Sequence, residues 1–191
     1  MNGKTKQEYG IDAAYAFYSN HIHKVDLIKL LEEHNLKVPG LVPSVLWELF
    51  AAILTGQKGT GNTGADLQGW EVKSAIMGAS FEYQYHLNTG LEKLEEDCIV
   101  NHLFCSYSKD YSNVNVMVMK GKDLADPFFH QWRDGYDENY DRSVDPRNRR
   151  QRYRKSISYG HVRNHGIPIL TIEDGQLIFT SIETLKNHKT N

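Results

Sequence analysis

The sequence has little cysteine, little proline and no long hydrophobic run. Its 191 residues include 2 cysteines and 5 prolines, and Cys98 and Cys105 form neither a disulfide framework nor a paired zinc-ligand motif. No apolar run reaches the ~18 residues of a membrane-spanning helix, and the N-terminus has no signal-peptide pattern. We therefore expect no membrane association and a location in the reducing cytoplasm.

The sequence also has little net charge, but its charges are segregated. The formal net charge is -2 at pH 7. Acidic residues concentrate at 92–97 and 134–141, whereas 145–163 contains seven Lys or Arg and one Asp. The basic stretch favours an anionic partner even though the average charge does not.

Hydrophobic periodicity predicts helices first and mostly hairpin-connected strands afterwards. Amphipathic spacing predicts helix within 12–35. A second helix is expected to begin with Ser44 as its cap, to end at Gly56 and to be buried, because it is apolar nearly all round. Further helices are predicted at 88–97 and 146–155, and strands at 65–67, 70–75, 99–107, 114–119, 167–172 and 176–182.

These elements predict a mixed α/β (α+β) fold in which helices flank a central mixed β-sheet. A chain of 191 residues has the length of a single domain. Within it we distinguish N-terminal helices at 12–55, a hairpin and sheet core at 64–120, and a basic C-terminal region at 145–191.

The most informative residues lie in the segment 64–73. If Gln68 and Gly69 form a two-residue hairpin turn, Asp66 and Glu71 lie opposite each other with Cβ atoms roughly 4.5 to 5.5 Å apart. Period-two alternation returns Lys73 to the face of Glu71. Two carboxylates held so close repel each other unless a cation lies between them.

This trio of side chains suits hydrolysis of a phosphodiester bond. Mg²⁺ takes one or two protein carboxylates and completes its shell with water and substrate phosphate, and it activates an attacking water. Lys73 would then stabilise the developing negative charge. Glu48 is the only ionisable residue of an otherwise apolar helix, and a buried carboxylate of this kind needs a partner.

Each of these features also has an ordinary structural interpretation. A Glu-x-Lys pattern on a strand is common in exposed cross-strand salt bridges, and Glu48 could lie on a narrow solvent-facing side of its helix. The combination with Asp66 and the glycine-rich approach favours the catalytic interpretation.

Asp66, the run Glu71-Val72-Lys73 and the upstream helical Glu48 resemble the PD-(D/E)xK nuclease superfamily, and among its members the type II restriction endonucleases. The resemblance implies Mg²⁺-dependent cleavage of double-stranded DNA by a prokaryotic homodimer acting on a palindromic site. It also implies that Asp66 and Glu71 are metal ligands, that Lys73 is the catalytic lysine and that Glu48 is an accessory acid. Ala65 replaces the Pro of the motif, and the short Asp66-to-Glu71 gap is similar to that of mismatch-repair nicking endonucleases.

The glycine-rich segment 59–64 matches GxGxxG, but it does not predict a dinucleotide site. That fingerprint needs a preceding strand and a following helix, and here the order is reversed. We instead expect a mobile loop that enters the active site, where Lys58 and Asn62 contact a backbone phosphate.

The basic stretch is the second predicted DNA contact. Arginine forms bidentate hydrogen bonds with phosphate and with guanine, although a solvated helix face would have a similar composition. Gln84, His86 and the segment 163–165 are weaker candidates for contacts with base edges. The predicted DNA-binding side chains in the C-terminal region are Arg147, Arg149, Arg150, Arg152, Arg154, Lys155 and Arg163.

The sequence thus predicts a Mg²⁺-dependent, sequence-specific endonuclease for double-stranded DNA that acts as a homodimer. A repair or junction nuclease with the same site is one alternative. A non-catalytic DNA- or RNA-binding protein, in which the acidic hairpin is incidental, is the other.

Overall fold

The computed structural model describes residues 9–61, 64–141, 143–148 and 152–188. Its α-helices are α1 (Ile11–Phe17), α2 (Val25–Glu33), α3 (Ser44–Thr55), α4 (Gly90–Asp97), α5 (Gly121–Leu124), α6 (His130–Asn139), α7 (Tyr159–His165) and α8 (Ile182–His188). Its strands are β1 (Trp70–Ile76), β2 (Phe81–Tyr85), β3 (Asn101–Tyr107), β4 (Val114–Lys120), β5 (Tyr153–Ile157), β6 (Ile167–Glu173) and β7 (Gln176–Thr180). Single π-helical turns follow α1 and α5, and a 3₁₀ turn spans Pro146–Asn148.

The strands form a mixed sheet, as predicted. Five of them lie in the order β1-β3-β4-β6-β7. β1 is parallel to β3, and the other neighbours are antiparallel. A hairpin turn at Asp174-Gly175 joins β6 to β7, with both turn residues at positive φ. A separate antiparallel ribbon consists of β2 and β5.

Helices pack on both faces of the five-stranded sheet because its strands alternate two sets of buried side chains. In β3, Leu103 and Cys105 belong to a core with α1 and α3, whereas Phe104 belongs to an aromatic core with α6 and the β2–β5 ribbon. The mixed α/β fold with helices flanking a central sheet is therefore confirmed.

The predicted helix at 146–155 is wrong. The described part of this stretch is a 3₁₀ turn followed by β5. Tyr153 and Ile157 are buried opposite Tyr85 and Phe81 of β2. Burial of these apolar side chains overrides the helical preference of Arg154 and Lys155 between them. β2 itself was not expected from the sequence.

Two details of α3 also differ from the expectation. Pro43, not Ser44, occupies the N-cap position, and no side chain caps this end. The helix is not buried all round, because Val45 and Leu49 are 58% and 44% exposed. It does end at Gly56, whose φ of 73° is the left-handed conformation that favours glycine.

No helix within the described ranges is both long and apolar enough to cross a membrane.

Candidate active site

A tight turn brings the acidic segment to the edge of the sheet. Leu67 and Trp70 exchange two backbone hydrogen bonds of 2.9 and 3.0 Å across Gln68 and Gly69. Gly69 has a φ of 75°, which this turn requires. The predicted hairpin is therefore present, but the predicted strand at 65–67 is reduced to the isolated bridge at Leu67.

Asp66 does not extend the ladder, because its side chain takes another partner. The Val72 N–H donates to Asp66 Oδ2 at 2.9 Å. Among the described strands, β1 pairs with β3 on one side only, so within that part of the chain its other edge presents backbone N–H groups without strand partners. Asp66 satisfies one of these groups and is held beside β1 by it.

The four predicted catalytic side chains line one cavity of about 320 Å³ beside β1. Glu71 and Lys73 lie on the same face, with Lys73 Nζ 2.5 Å from Glu71 Oε1. Glu48 reaches the cavity from α3 and Asp66 reaches it from the turn. The structure thus brings together residues from two elements 18 or more positions apart in sequence.

The neighbouring carboxylates of the cavity affect the ionisation of Asp66. The pKa of Asp66 is raised to about 6, chiefly by burial and also by the charges of Glu71 and Glu48, while Lys73 and the Val72 N–H oppose the shift. A divalent cation in the cavity would relieve this repulsion.

Lys93 is a second lysine of the site that the sequence did not predict. Its Nζ lies 2.7 Å from Glu71 Oε2 and 3.3 Å from Asp97 Oδ1. Glu71 is 1% exposed. Burial opposes its ionisation, but Lys73 and Lys93 hold its pKa below the ordinary value. Glu71 is therefore a buried anion with a lysine on each oxygen.

A buried network of hydrogen bonds surrounds Asp97, the second carboxylate that contacts Lys93. Tyr85 donates its hydroxyl hydrogen to Asp97 Oδ2 at 2.8 Å. His102 Nε2 lies 2.7 Å from the Asp97 carbonyl oxygen, which only accepts, so His102 carries its proton on Nε2. Its Nδ1 then accepts from the Tyr83 hydroxyl at 2.9 Å. Burial lowers the pKa of His102 to about 4.

Of the two contacts of Lys93, only the one with Asp97 could be predicted from the sequence. Lys93 and Asp97 are four residues apart, the spacing of an ion pair on one helix face. The contact with Glu71 spans 22 positions, and no periodic pattern encodes such a contact.

The cavity offers two carboxylates, Asp66 and Glu71, as possible ligands of a magnesium ion. Among the described residues, no group of three or more His, Cys, Asp or Glu side chains is placed to hold a metal ion. Mg²⁺ needs only one or two protein carboxylates when water and substrate phosphates supply the rest. Asp66 and Glu71 line the same cavity, and a Mg²⁺ ion there would share the Glu71 carboxylate with Lys73 and Lys93.

The predicted DNA-binding residues do not lie together. Arg152 and Arg154 are on the outer side of the β2–β5 ribbon, where they contact Gln84 and Glu82. Arg147 pairs with Asp145, and Arg163 on α7 lines a different cavity from the carboxylates. Lys155 lies 5.4 Å from the Tyr153 ring. Asn62, Arg149 and Arg150 are outside the described residues.

Hydrogen-bonding contacts hold the glycine-rich loop near both ends of its described part. Gly59 bridges to Leu67, and the Ala65 N–H donates to Glu96 Oε2 of α4 at 2.7 Å. Lys58 is exposed at the start of the loop. These contacts fix the approach of the chain to Asp66.

Comparison of the sequence with protein-family models found no match, and comparison with curated proteins found none either.

Proposed function

We propose that this protein is a Mg²⁺-dependent endonuclease that cleaves double-stranded DNA, as type II restriction enzymes of the prokaryotic cytoplasm do. The observation that carries the proposal is the convergence of Asp66, Glu71 and Lys73 on one open cavity at a sheet edge. This is the residue set of the PD-(D/E)xK resemblance, assembled on a mixed sheet. Glu48 joins it from the preceding helix.

The residues of the cavity have distinct roles in the proposed hydrolysis. Asp66 and Glu71 would hold Mg²⁺, which when bound lowers the pKa of water and offsets negative charge on the phosphate. Lys73 keeps an ammonium group beside Glu71 at the cavity wall, where it stabilises negative charge on the scissile phosphate. Glu48, half-buried in the same cavity, accepts a hydrogen bond from water and orients it.

The proposal includes two-fold symmetry. A subunit of 21.9 kDa contacts one side of a duplex, so cleavage of both strands requires two subunits related by the symmetry of a palindromic site. The homodimer is thus part of the same proposal.

The test is digestion of a long unmethylated DNA with Mg²⁺ or with EDTA. We expect discrete bands that need Mg²⁺ and that disappear in Lys73→Ala. Lys122→Ala is the matched control, because Lys122 is an exposed lysine on α5 outside the cavity. A Mg²⁺-dependent smear would indicate a repair-type nuclease of the same chemistry. Absence of cleavage, with salt-sensitive DNA binding retained, would indicate a DNA-binding protein.

A second measurement does not depend on DNA. At ten times its dissociation constant, a ligand that binds only the folded state stabilises it by about 1.4 kcal/mol. We expect Mg²⁺ to raise the Tm of the wild-type protein and to leave the Tm of an Asp66→Asn variant unchanged. Equal shifts in both proteins would show that Asp66 does not hold the ion.

A further inference from the structure

The outer side of the β2–β5 ribbon carries a row of polar and charged side chains. Phe81, Tyr83 and Tyr85 of β2 point into the aromatic core. Glu82 and Gln84, between them, therefore point outward. Across the ribbon, Ser156 is the partner of Glu82 and Arg154 is the partner of Gln84.

These outer side chains contact one another and remain accessible. Gln84 Nε2 donates to Glu82 Oε1 at 2.6 Å, and Arg152 donates to Gln84 Oε1 at 3.3 Å. Arg154 Nη1 lies 3.7 Å from Glu82 Oε2, and the two side chains are 53% and 49% exposed. Exposed pairs of this kind contribute little to stability, so their groups can exchange partners at low cost.

The outer side of the ribbon is continuous with the catalytic cavity. Glu82 and Gln84 line the same cavity as Asp66, Glu71 and Lys73. A duplex whose backbone phosphate lies in that cavity therefore passes directly over these side chains. Arg154 is on β5, Arg152 directly precedes that strand, and neither residue lines the cavity.

The chemistry of the row matches base edges better than phosphates. Glutamine forms two hydrogen bonds with adenine, arginine forms two with guanine, and glutamate accepts from the amino group of cytosine. A carboxylate that faced phosphates would be repelled by them, whereas Glu82 next to base edges is not. Arginine and glutamine also contact phosphates, so Glu82 is the member of the row that distinguishes base edges from the backbone.

The dimensions also suit the major groove. Two strands about 4.8 Å apart, with side chains on one side, fit a groove about 12 Å wide that admits a two-stranded β-ribbon. Five residues at about 3.3 Å per residue extend roughly 17 Å. That length covers the edges of a short recognition sequence.

We propose that the β2–β5 ribbon enters the major groove and determines the DNA sequence at which the enzyme acts, with Gln84 and Arg154 as the principal base-contacting residues. This inference rests on the proposed nuclease function for its partner, double-stranded DNA. It differs from that function in assigning the specificity to side chains outside the catalytic set.

The test uses a pool of DNA duplexes with a randomised central segment. The wild type, Gln84→Ala and Arg154→Ala are compared twice: the bound duplexes are sequenced after capture with Ca²⁺ replacing Mg²⁺, and the cut ends are sequenced after digestion with Mg²⁺. Arg133→Ala is the matched control, because Arg133 is 50% exposed and pairs with Glu95 at 3.3 Å on another surface. Both test residues are at least partly exposed, so we expect all variants to fold.

We expect each ribbon variant to lose discrimination at one or two positions of the recognised sequence, by about tenfold or more, while Arg133→Ala keeps the wild-type profile. An unchanged profile in both ribbon variants would overturn the inference and leave the nuclease intact. If the wild type binds a preferred sequence without cutting, the nuclease proposal fails, and the bound sequences alone decide the role of the ribbon. Wild-type binding without any preferred sequence would overturn the inference.

Discussion

The cavity at β1 and the outer side of the β2–β5 ribbon use the same residue types in opposite environments. At the cavity, Glu71 shares Lys93 with Asp97, which lies outside the lining, and the two carboxylates are 1% and 0% exposed. On the ribbon, Arg154 and Glu82 are about half exposed and 3.7 Å apart. A buried ion pair holds its members in one geometry because breaking it leaves a charge without water, whereas an exposed pair is nearly free to separate.

This difference corresponds to the two tasks we propose. Catalysis needs carboxylates held in place before substrate arrives, and the buried lysines provide that. Recognition needs side chains that give up their mutual contacts for base edges, and the exposed ribbon pairs allow that. Burial, and not the kind of residue, separates the two regions.

The strongest test of this comparison is to break the buried pair. Lys93→Met removes a cation from two buried carboxylates, and we expect a loss of about 3 kcal/mol in the free energy of unfolding. Urea denaturation at pH 7 measures it. Arg133→Met, which breaks an exposed pair with Glu95, should change stability by less than about 0.5 kcal/mol. Equal losses in the two variants would contradict the distinction.

The second variant, Asp66→Asn, should raise the free energy of unfolding instead of lowering it. Asp66→Asn removes a carboxylate whose charge is disfavoured, and the amide oxygen can still accept the Val72 N–H. We expect the metal-free variant to be more stable than the wild type by about 1 to 2 kcal/mol at pH 8, after allowance for partial solvent screening. It should also lose cleavage. Thermal unfolding measures the difference in stability. The control is Asp137→Asn, which replaces an exposed carboxylate on α6.

The stability advantage of Asp66→Asn should depend on pH. Because the folded pKa of Asp66 is raised from 3.8 to about 6, the folded protein binds this proton more tightly than the unfolded chain. The resulting stability is fully present below about pH 3.8 and is lost as the pH rises through about 6. The Tm gap between variant and wild type should therefore narrow from pH 8 to pH 5. A constant gap would show that Asp66 is not the responsible group.

The smallest effect is expected on the ribbon. Glu82→Gln keeps the shape of the side chain and removes an exposed charge 3.7 Å from Arg154. The free energy of unfolding should change by less than about 0.5 kcal/mol, as measured by urea denaturation. A loss of 2 kcal/mol or more in the free energy of unfolding would show that the Glu82–Arg154 pair contributes as much as a buried ion pair. That result would contradict the proposal that the two side chains exchange partners at low cost.

Much of the candidate site could be predicted from local rules. Period-two alternation places Glu71 and Lys73 on one face, and the Gln68-Gly69 turn brings Asp66 beside them. Glu48 stood out as a single ionisable residue in an apolar helix, and it lines the same cavity. The predictions for Asp66, Glu71 and Lys73 depended on spacings of at most a few residues, where backbone geometry alone determines side-chain direction. Glu48 is 18 positions from Asp66 and was predicted from its isolation in an apolar helix.

The predictions that were wrong or missing involve partners far apart in the chain. A helix was expected at 146–155, but residues 153–157 form β5 because β2, about 70 positions earlier, supplies a strand partner. β2 has the same dependence on a distant strand. Lys93 was missed because its partner Glu71 lies 22 positions away on another element.

By itself, the sequence determined the order of most elements, the mixed α/β class and the acidic hairpin with its lysine, because hydrophobic period and turn chemistry act locally. Only the tertiary structure decided which charges are buried and which strands pair across long distances. Burial sets the environment of a charge, and it depends on every element packed around that charge. For this reason the second lysine, and the placement of Gln84, Arg152 and Arg154 on one side of a ribbon, emerged only from the folded chain.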